Sequence, residues 1–175
     1  MGPGLLPAHV EVVRSWLERT YALKVKVLDH VALPKRAYYK PRKRYRAEKL
    51  LEALDETLAR PPLPKDAWRI MGLTAVDIST SKPPYDDWGV MGLGELPGKA
   101  SVLSVFRCRR GARSTEHAFE RLGKVAVHEL GHTLGLDHCP HRGCLMEDAE
   151  GKVVTLDRET GFCEPCRQRL GAALR

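Results

Sequence analysis

The chain has 175 residues and a formal net charge of +7, and this length predicts one domain with a single apolar core. No apolar run approaches the roughly 18–20 residues of a membrane-spanning helix, so we expect no membrane association. The first residues carry neither a basic stretch nor an apolar stretch long enough for a secretory signal. We therefore expect a cytoplasmic protein, and one that is monomeric.

The first half of the chain alternates helical and extended patterns. Apolar residues at helical spacing predict a helix over residues 9–20, and apolar residues that alternate with lysines predict a strand over Leu23–Val27. A second amphipathic pattern predicts a helix over Arg46–Arg60, which the pair Pro61-Pro62 ends. Residues 68–78 form an apolar, β-rich run that predicts one buried strand.

The second half continues this alternation. Residues 79–87, which contain two adjacent prolines, predict a loop. The glycine-rich run Trp88–Leu96 predicts a short strand at the edge of a sheet, although a glycine-rich hairpin explains the same pattern. Another strand is predicted over Ala100–Phe106, and Ser114 or Thr115 caps a long helix. The alternation of strands and helices favours an α/β arrangement in two or three layers.

The positive charge is concentrated between residues 35 and 49. This segment holds eight basic side chains against one acidic side chain, an excess equal to the net charge of the whole chain. Three tyrosines interleave with these charges, a composition typical of surfaces that bind single-stranded nucleic acid or an acidic partner. A solvated loop leading into a helix, the more common origin of such a run of charges, is the other interpretation. The basic residues are Lys35, Arg36, Lys40, Arg42, Lys43, Arg44, Arg46 and Lys49.

The run from His128 to His138 reads HExxHxxGxxH, the pattern of a three-histidine zinc site. His128 and His132 are one helical turn apart, so both imidazoles leave the same face of a helix. Gly135 can adopt a positive φ and turn the chain, so that His138 returns as a third ligand. Three protein ligands leave a fourth position for water, the arrangement of catalytic zinc. Glu129 is then the general base that takes a proton from this water as it attacks a peptide carbonyl.

Four of the five cysteines follow this motif in two closely spaced pairs, the ligand set of a structural zinc site. Residues 139–175 are too few to bury a core of their own, and a bound metal ion supplies the missing stability. Disulfides, which need an oxidising compartment, and an iron–sulfur or redox role are the alternatives. Cys108 has no partner in sequence and is predicted to be a small buried residue or a free thiol. The paired cysteines are Cys139, Cys144, Cys163 and Cys166.

The combined pattern HExxHxxGxxHC-x4-C-x-M-x16-C-x2-C resembles that of the archaemetzincins, a family of the metzincin clan of zinc peptidases. The match spans Val125 to Arg167, with one residue fewer before the last cysteine pair, which we interpret as a loop deletion. The resemblance implies a zinc-dependent peptidase with a mixed twisted sheet, packed helices and an active-site helix. It also implies that the edge strand Trp88–Leu96 borders the cleft and that Met146 lies on a turn beneath the zinc ligands.

We therefore predict a single catalytic domain over residues 1–175 that acts on peptides or unfolded proteins and holds two zinc ions. Its upper part, residues 1–137, carries the active-site helix, and the four-cysteine site stabilises a small lower part, residues 138–175. The alternative function is a zinc-stabilised module that binds nucleic acid or an acidic partner through residues 35–49, with a vestigial histidine site. Glu129 argues against this alternative, because a purely structural site needs no neighbouring carboxylate.

Overall fold

Two mixed sheets and five α-helices form the part of the chain that the computed structural model describes, residues 1–60 and 67–173. Within these ranges every helix is too short or too polar to cross a lipid bilayer. The strands are β1 (Tyr38–Tyr39), β2 (Arg44–Arg46), β3 (Ile70–Thr74), β4 (Ile78–Lys82), β5 (Tyr85–Val90), β6 (Gly92–Gly94) and β7 (Ala100–Ser104). The helices are α1 (Pro7–Tyr21), α2 (Ala47–Leu58), α3 (Val105–Cys108), α4 (Thr115–Thr133) and α5 (Glu164–Ala173), with 3₁₀ turns at Lys35–Ala37, Lys40–Arg42 and Val153–Arg158.

The strands pair in the orders β1-β2-β4-β5 and β3-β7-β6. Each sheet contains one parallel pair, β2 with β4 and β3 with β7, and its other pairs are antiparallel. Among the described strands β6 pairs with β7 alone, which makes β6 an edge strand. Mixed sheets with packed helices confirm the predicted α/β class, although the strands form two sheets where a single one was expected.

The predicted helices are confirmed, with small shifts of their ends. Helix α1 begins at Pro7, whose fixed φ suits a first helical position. Helix α2 covers most of the predicted span Arg46–Arg60, while the pair Pro61-Pro62 lies outside the described residues. Ser114 caps α4, since its side chain accepts a hydrogen bond from the backbone N–H of His117 at 3.2 Å.

Apolar side chains form two buried clusters. One lies between α2 and the strands that it covers, and includes Leu50, Ile78 and Val102. The other joins α1 and α4 to the chain after residue 138, where Leu145 and Phe162 belong to the same cluster as the two helices. The C-terminal segment therefore shares a core with the helices, and the proposed division at residue 137 stays a prediction.

The predicted strand over Leu23–Val27 is wrong. These residues have no regular secondary structure, because the N–H of Val25 donates to the Glu18 carboxylate at 3.1 Å rather than to a neighbouring strand. Leu23 and Val25 are partly buried against the core, but Val27 is 54% exposed, so the apolar face ends before the predicted strand does. A local bond from α1 thus replaces the expected ladder.

The single buried strand predicted over residues 68–78 is also wrong, because the run divides into β3 and β4, which belong to different sheets. Asp77 lies at the division and accepts hydrogen bonds from the guanidinium of Arg107 at 2.8 and 3.2 Å. The predicted loop over residues 79–87 is instead a β4–β5 hairpin that turns at Pro83-Pro84. The strand over Ala100–Phe106 ends two residues early, because Ser104 caps α3.

The run Trp88–Leu96, for which we predicted either an edge strand or a hairpin, contains part of each. Its first residues belong to β5, which pairs with β4 as a hairpin, and its later residues form the edge strand β6. Met91 separates the two strands and is buried. The edge strand β6 is only three residues long, Gly92–Gly94.

A buried guanidinium ties the first half of α4 to the C-terminal segment. Arg121 is 2% exposed and binds both carboxylate oxygens of Asp157 at 2.7 Å. The third guanidinium nitrogen, Nη1, donates to the carbonyl of Arg110 at 2.9 Å. The Nε2 atom of His117 also lies 2.7 Å from the Asp157 carboxylate. These bonds hold the Val153–Arg158 turn against α4, and they lower the pKa of Asp157 because they favour its charged form.

We predict that Asp157→Asn lowers the free energy of unfolding by about 2 kcal/mol at neutral pH, because it leaves a buried cation without its counter-charge. The pKa of Asp157 is lowered in the folded state, so its contribution is complete above the ordinary carboxyl range and is lost in acid. The difference from the native protein should therefore shrink as the pH falls below about 4. Denaturant titrations of both proteins at several pH values measure this difference in the free energy of unfolding.

The matched control is Glu150→Gln, which removes an exposed ion pair to Lys152 at 3.0 Å. This change should alter the free energy of unfolding by less than about 0.5 kcal/mol. Equal stabilities of the two variants at neutral pH would contradict the assigned role of the Arg121–Asp157 pair.

Candidate metal centre

Helix α4 ends in a turn that sends the chain back along its own last residues. Gly135 has a φ of 88°, and its N–H donates to the carbonyl of His132 at 2.8 Å. The N–H of Leu136 donates to the carbonyl of Gly131 at 3.0 Å, which completes a Schellman motif. The turn predicted at Gly135 is confirmed, and it brings His138 back beside the helix.

Three imidazoles meet at this turn. The Nε2 atoms of His128 and His132 are 3.0 Å apart, and the ring of His138 lies 5.4 and 4.8 Å from theirs, measured between centroids. One ring nitrogen from each residue lies within 4.8 Å of the others. The structure therefore brings together the three side chains that the spacing predicts as ligands.

Backbone carbonyls fix the orientation of two of these rings. His128 Nδ1 donates to the carbonyl of Leu145, and His132 Nδ1 donates to that of Leu136, each at 2.7 Å. The Nε2 lone pairs of both rings therefore face each other and cannot form a mutual hydrogen bond. A cation between the two Nε2 atoms would accept both lone pairs. Zinc–nitrogen bonds of about 2.0 Å place tetrahedral ligand atoms about 3.3 Å apart, close to the 3.0 Å between these two nitrogens. The donor set thus fits a zinc ion.

Burial keeps these imidazoles in the neutral form that binds metals. Burial and the neighbouring His132 lower the pKa of His128 to about 3. Burial likewise lowers the pKa of His132. Both rings are therefore unprotonated at neutral pH, which leaves their Nε2 lone pairs available.

The third imidazole is more exposed and has a carboxylate neighbour. The side chain of His138 is 49% exposed, and its Nδ1 lies 3.6 Å from the carboxylate of Asp148. The nearby His141 lies instead beside Cys139, with its Nδ1 3.4 Å from the sulfur. No spacing rule selects Asp148, which follows His138 by ten residues and reaches it through the intervening loop.

The carboxylate of Glu129 is buried between α4 and the edge strand β6. Glu129 is 7% exposed, and burial raises its pKa to about 8, against a backbone hydrogen bond from Gly94 that lowers it. A Cβ atom on Gly92 would lie 2.5 Å from Glu129 Oε1, and one on Gly94 would lie 2.5 Å from the Glu129 carbonyl. Only glycine at these positions lets the strand lie this close to the helix.

Met146 packs beneath the same turn of α4. Its side chain is fully buried, and a Cβ atom on Gly131 would lie 2.6 Å from its sulfur. Its carbonyl accepts a hydrogen bond from the N–H of Cys139 at 2.7 Å. Met146 therefore supports the helical turn between His128 and His132, from the loop that follows the histidines.

The paired cysteines form a second cluster, adjacent to the first along the chain. Their four sulfur atoms lie within 4.8 Å of one another, and those of Cys139 and Cys163 are 3.5 Å apart. All five cysteines are free thiols, which disfavours the disulfide alternative. Zinc–sulfur bonds of about 2.3 Å set tetrahedral thiolates about 3.8 Å apart, so this donor set also fits zinc. Cys108 lies apart from the cluster, is 1% exposed and matches the predicted buried residue.

A mixed α/β fold that gathers three imidazoles and a buried carboxylate beside a sheet edge defines a zinc metallopeptidase. The model of peptidase family M54 matches residues 9–172. The chain therefore belongs to peptidase family M54, and the resemblance to archaemetzincins is confirmed.

Individual relatives show the same likeness over almost the whole chain. The archaemetzincin of Methanopyrus kandleri is 32% identical over 170 residues, which cover 95% of this chain and 90% of that protein. That of Halobacterium salinarum is 30% identical over 174 residues, which cover 94% of each. The crystal structure of the Methanopyrus kandleri archaemetzincin has a TM-score of 0.80, at 98% and 90% coverage of this chain and that one. The Archaeoglobus fulgidus archaemetzincin, complexed with malonate, has a TM-score of 0.77 at 30% identity, with 95% and 94% coverage.

We predict that Gly92→Ala reduces kcat for peptide hydrolysis about tenfold to a hundredfold, because the new methyl group displaces the Glu129 carboxylate. Zinc content and melting temperature should stay close to those of the native protein. Steady-state kinetics, elemental analysis and thermal unfolding measure the three quantities.

The control is Gly171→Ala, where a Cβ atom meets nothing within 4 Å. This variant should retain native kcat. A Gly92→Ala variant with native kcat would show that the contact between β6 and Glu129 does not position the carboxylate.

Proposed function

We propose that the chain hydrolyses peptide bonds in peptides or unfolded proteins, with zinc held by His128, His132 and His138. One observation supports this proposal most directly: three imidazole nitrogens that can ligate a metal converge beside the carboxylate of Glu129, a residue that is 7% exposed. When bound, zinc supplies a Lewis acid that lowers the pKa of a coordinated water to about 7 and polarises a carbonyl group.

Glu129 is proposed as the general base and then the general acid. Its carboxylate takes the proton of the attacking water, and it later delivers this proton to the nitrogen of the departing amine. The contact with β6 supports the role, because it fixes the position of the carboxylate beside the imidazoles. The carboxylate thus returns to its starting form after each cycle.

The edge strand β6 is proposed to align the substrate. Among the described strands it pairs on one side only, with β7, so the backbone groups of its other edge can bind an extended peptide. Gly92 and Gly94 bring this edge into contact with Glu129, which places a bound backbone beside the base. This geometry favours extended or unfolded substrates over folded ones.

Met146 supports a metzincin-type site. Its buried sulfur packs against Gly131, between the two histidines of α4, and its loop connects the imidazole and cysteine clusters. We propose that Met146 holds the helical turn under the metal rather than ligating it, since thioether packing fills irregular space without a charge.

We propose a second, structural zinc ion bound by the four paired cysteines, for a total of two ions per chain. His138 directly precedes Cys139, so the cysteine cluster holds the backbone that carries the third imidazole. Zinc–thiolate sites persist where thiols stay reduced, and we therefore propose a cytoplasmic location.

Internal pairing disfavours the alternative in which residues 35–49 bind nucleic acid. Arg44 pairs with Asp77 at 2.8 Å and with Asp87 at 2.9 Å, and both carboxylates are largely buried. Arg36 pairs with Glu56. The tyrosines also make contacts within the fold, since Arg46 lies 4.0 Å from the centre of the Tyr39 ring and the Tyr38 and Tyr45 rings pack at a tilt, with centroids 5.3 Å apart. Part of this positive charge is thus paired with carboxylates inside the fold.

We predict that Glu129→Gln keeps its zinc and loses peptide hydrolysis by at least about a hundredfold, because the amide cannot accept the proton of water. A peptide library digested in the presence of zinc, with mass-spectrometric detection, measures the loss and also reports the preferred cleavage sites. Glu116→Gln on the same helix, where the side chain is exposed, should hydrolyse the library at the native rate. Hydrolysis by the Glu129 variant at the native rate would remove this residue from the mechanism.

We predict two zinc ions in the loaded native protein and fewer in Cys163→Ser, because one thiolate ligand is lost. Losing the structural ion should lower the melting temperature by about 10 °C, given roughly 2–4 °C per kcal/mol for a chain of this size. Cys108→Ala is the matched control and should retain both ions. Elemental analysis that found one ion or none in the native protein, after incubation with excess zinc, would contradict the assignment.

A further inference from the structure

A cavity of about 340 Å³ lies between the start of α1, helix α3 and the first turns of α4. Its walls are mainly apolar, and among the residues that line it there is no acidic side chain. It is remote from the histidine cluster, because His128 follows Thr115 by 13 residues, about 20 Å along the helix. The apolar lining includes Leu6, Val105, Phe119 and Leu122.

Two hydrogen-bond donors converge in this cavity. His9 is 3% exposed, and its Nδ1 accepts the N–H of Leu6 at 3.0 Å. The proton of the neutral ring is therefore on Nε2, which lies 3.2 Å from a guanidinium nitrogen of Arg109. Arginine has no acceptor atom, so the contact joins two donors. An acceptor that takes a hydrogen bond from each would satisfy both.

The protein environment keeps His9 in this form. Burial and the charge of Arg109 lower its pKa, so the ring is neutral at neutral pH. Its ring also packs edge-on against Phe119, with centroids 5.6 Å apart, which fixes the direction of Nε2. The start of α4 adds a partial positive charge to the same wall, at Ser114 and Thr115.

We propose that this cavity is a second binding site, for a small molecule with one carboxylate group and an apolar body. The two carboxylate oxygens accept hydrogen bonds from His9 Nε2 and from the Arg109 guanidinium, and the apolar body fills the space lined by Phe119 and Leu122. The volume falls within the range of small-molecule sites, about 300–1,000 Å³. A free aliphatic acid and the C-terminal residue of an apolar peptide share this chemistry. The site does not depend on the proposed peptidase mechanism.

The test is a titration of the zinc-loaded protein with hexanoate, with N-acetyl-leucine and with hexanol, followed by the NMR signals of the His9 imidazole. Both carboxylates should shift these signals, and hexanol should bind at least tenfold more weakly. A preference for hexanoate identifies a free acid as the natural class, and a preference for N-acetyl-leucine identifies a peptide terminus.

Arg109→Gln should weaken the binding of both carboxylates at least tenfold, since it removes the charged donor. Arg110→Gln is the matched control, an exposed neighbour outside the cavity lining, and should bind like the native protein. Carboxylates can also bind zinc, and such binding would be insensitive to Arg109 and would leave the His9 signals unchanged. That result, equal binding of hexanol, or no binding at millimolar concentration would each overturn the proposal.

Discussion

Helix α4 supplies only two of the three imidazoles, so the site depends on how the chain leaves the helix. The Schellman turn at Gly135 reverses the chain within three residues and returns His138 to the face that carries His128 and His132. The same turn supplies the Leu136 carbonyl that orients the His132 ring. The end of the helix therefore determines both the position of the third imidazole and the tautomer of the second.

Close approach of the sheet edge to this helix makes the carboxylate part of the site. Without side chains at Gly92 and Gly94, β6 lies directly on Glu129 and removes it from solvent. A longer side chain at either position would separate the strand from α4 and would return the carboxylate to water. In the proposed mechanism, β6 aligns the substrate and Glu129 transfers the proton. The two are held together by the same packing contact.

The features that the sequence predicts correctly are those that depend on local geometry. The spacing of the histidines, the cap at Ser114 and the turn at Gly135 depend on neighbours within one or two helical turns, so pattern and structure agree. The contacts that the sequence does not predict join distant residues: Asp148 beside His138, Gly92 against Glu129, and Asp77 between two sheets. The strand expected over Leu23–Val27 is absent for a local reason, since the N–H of Val25 donates to the carboxylate of Glu18 rather than to a neighbouring strand.

The peptide bond between His138 and Cys139 joins the imidazole and cysteine clusters. An oxidant that converts the thiolates to sulfenic acid or to a disulfide would release the proposed structural zinc ion and free the loop that carries the third imidazole. We therefore expect peroxide to inactivate the protein without any chemistry at the histidines. Its hydrolytic activity would then follow the redox state of its surroundings.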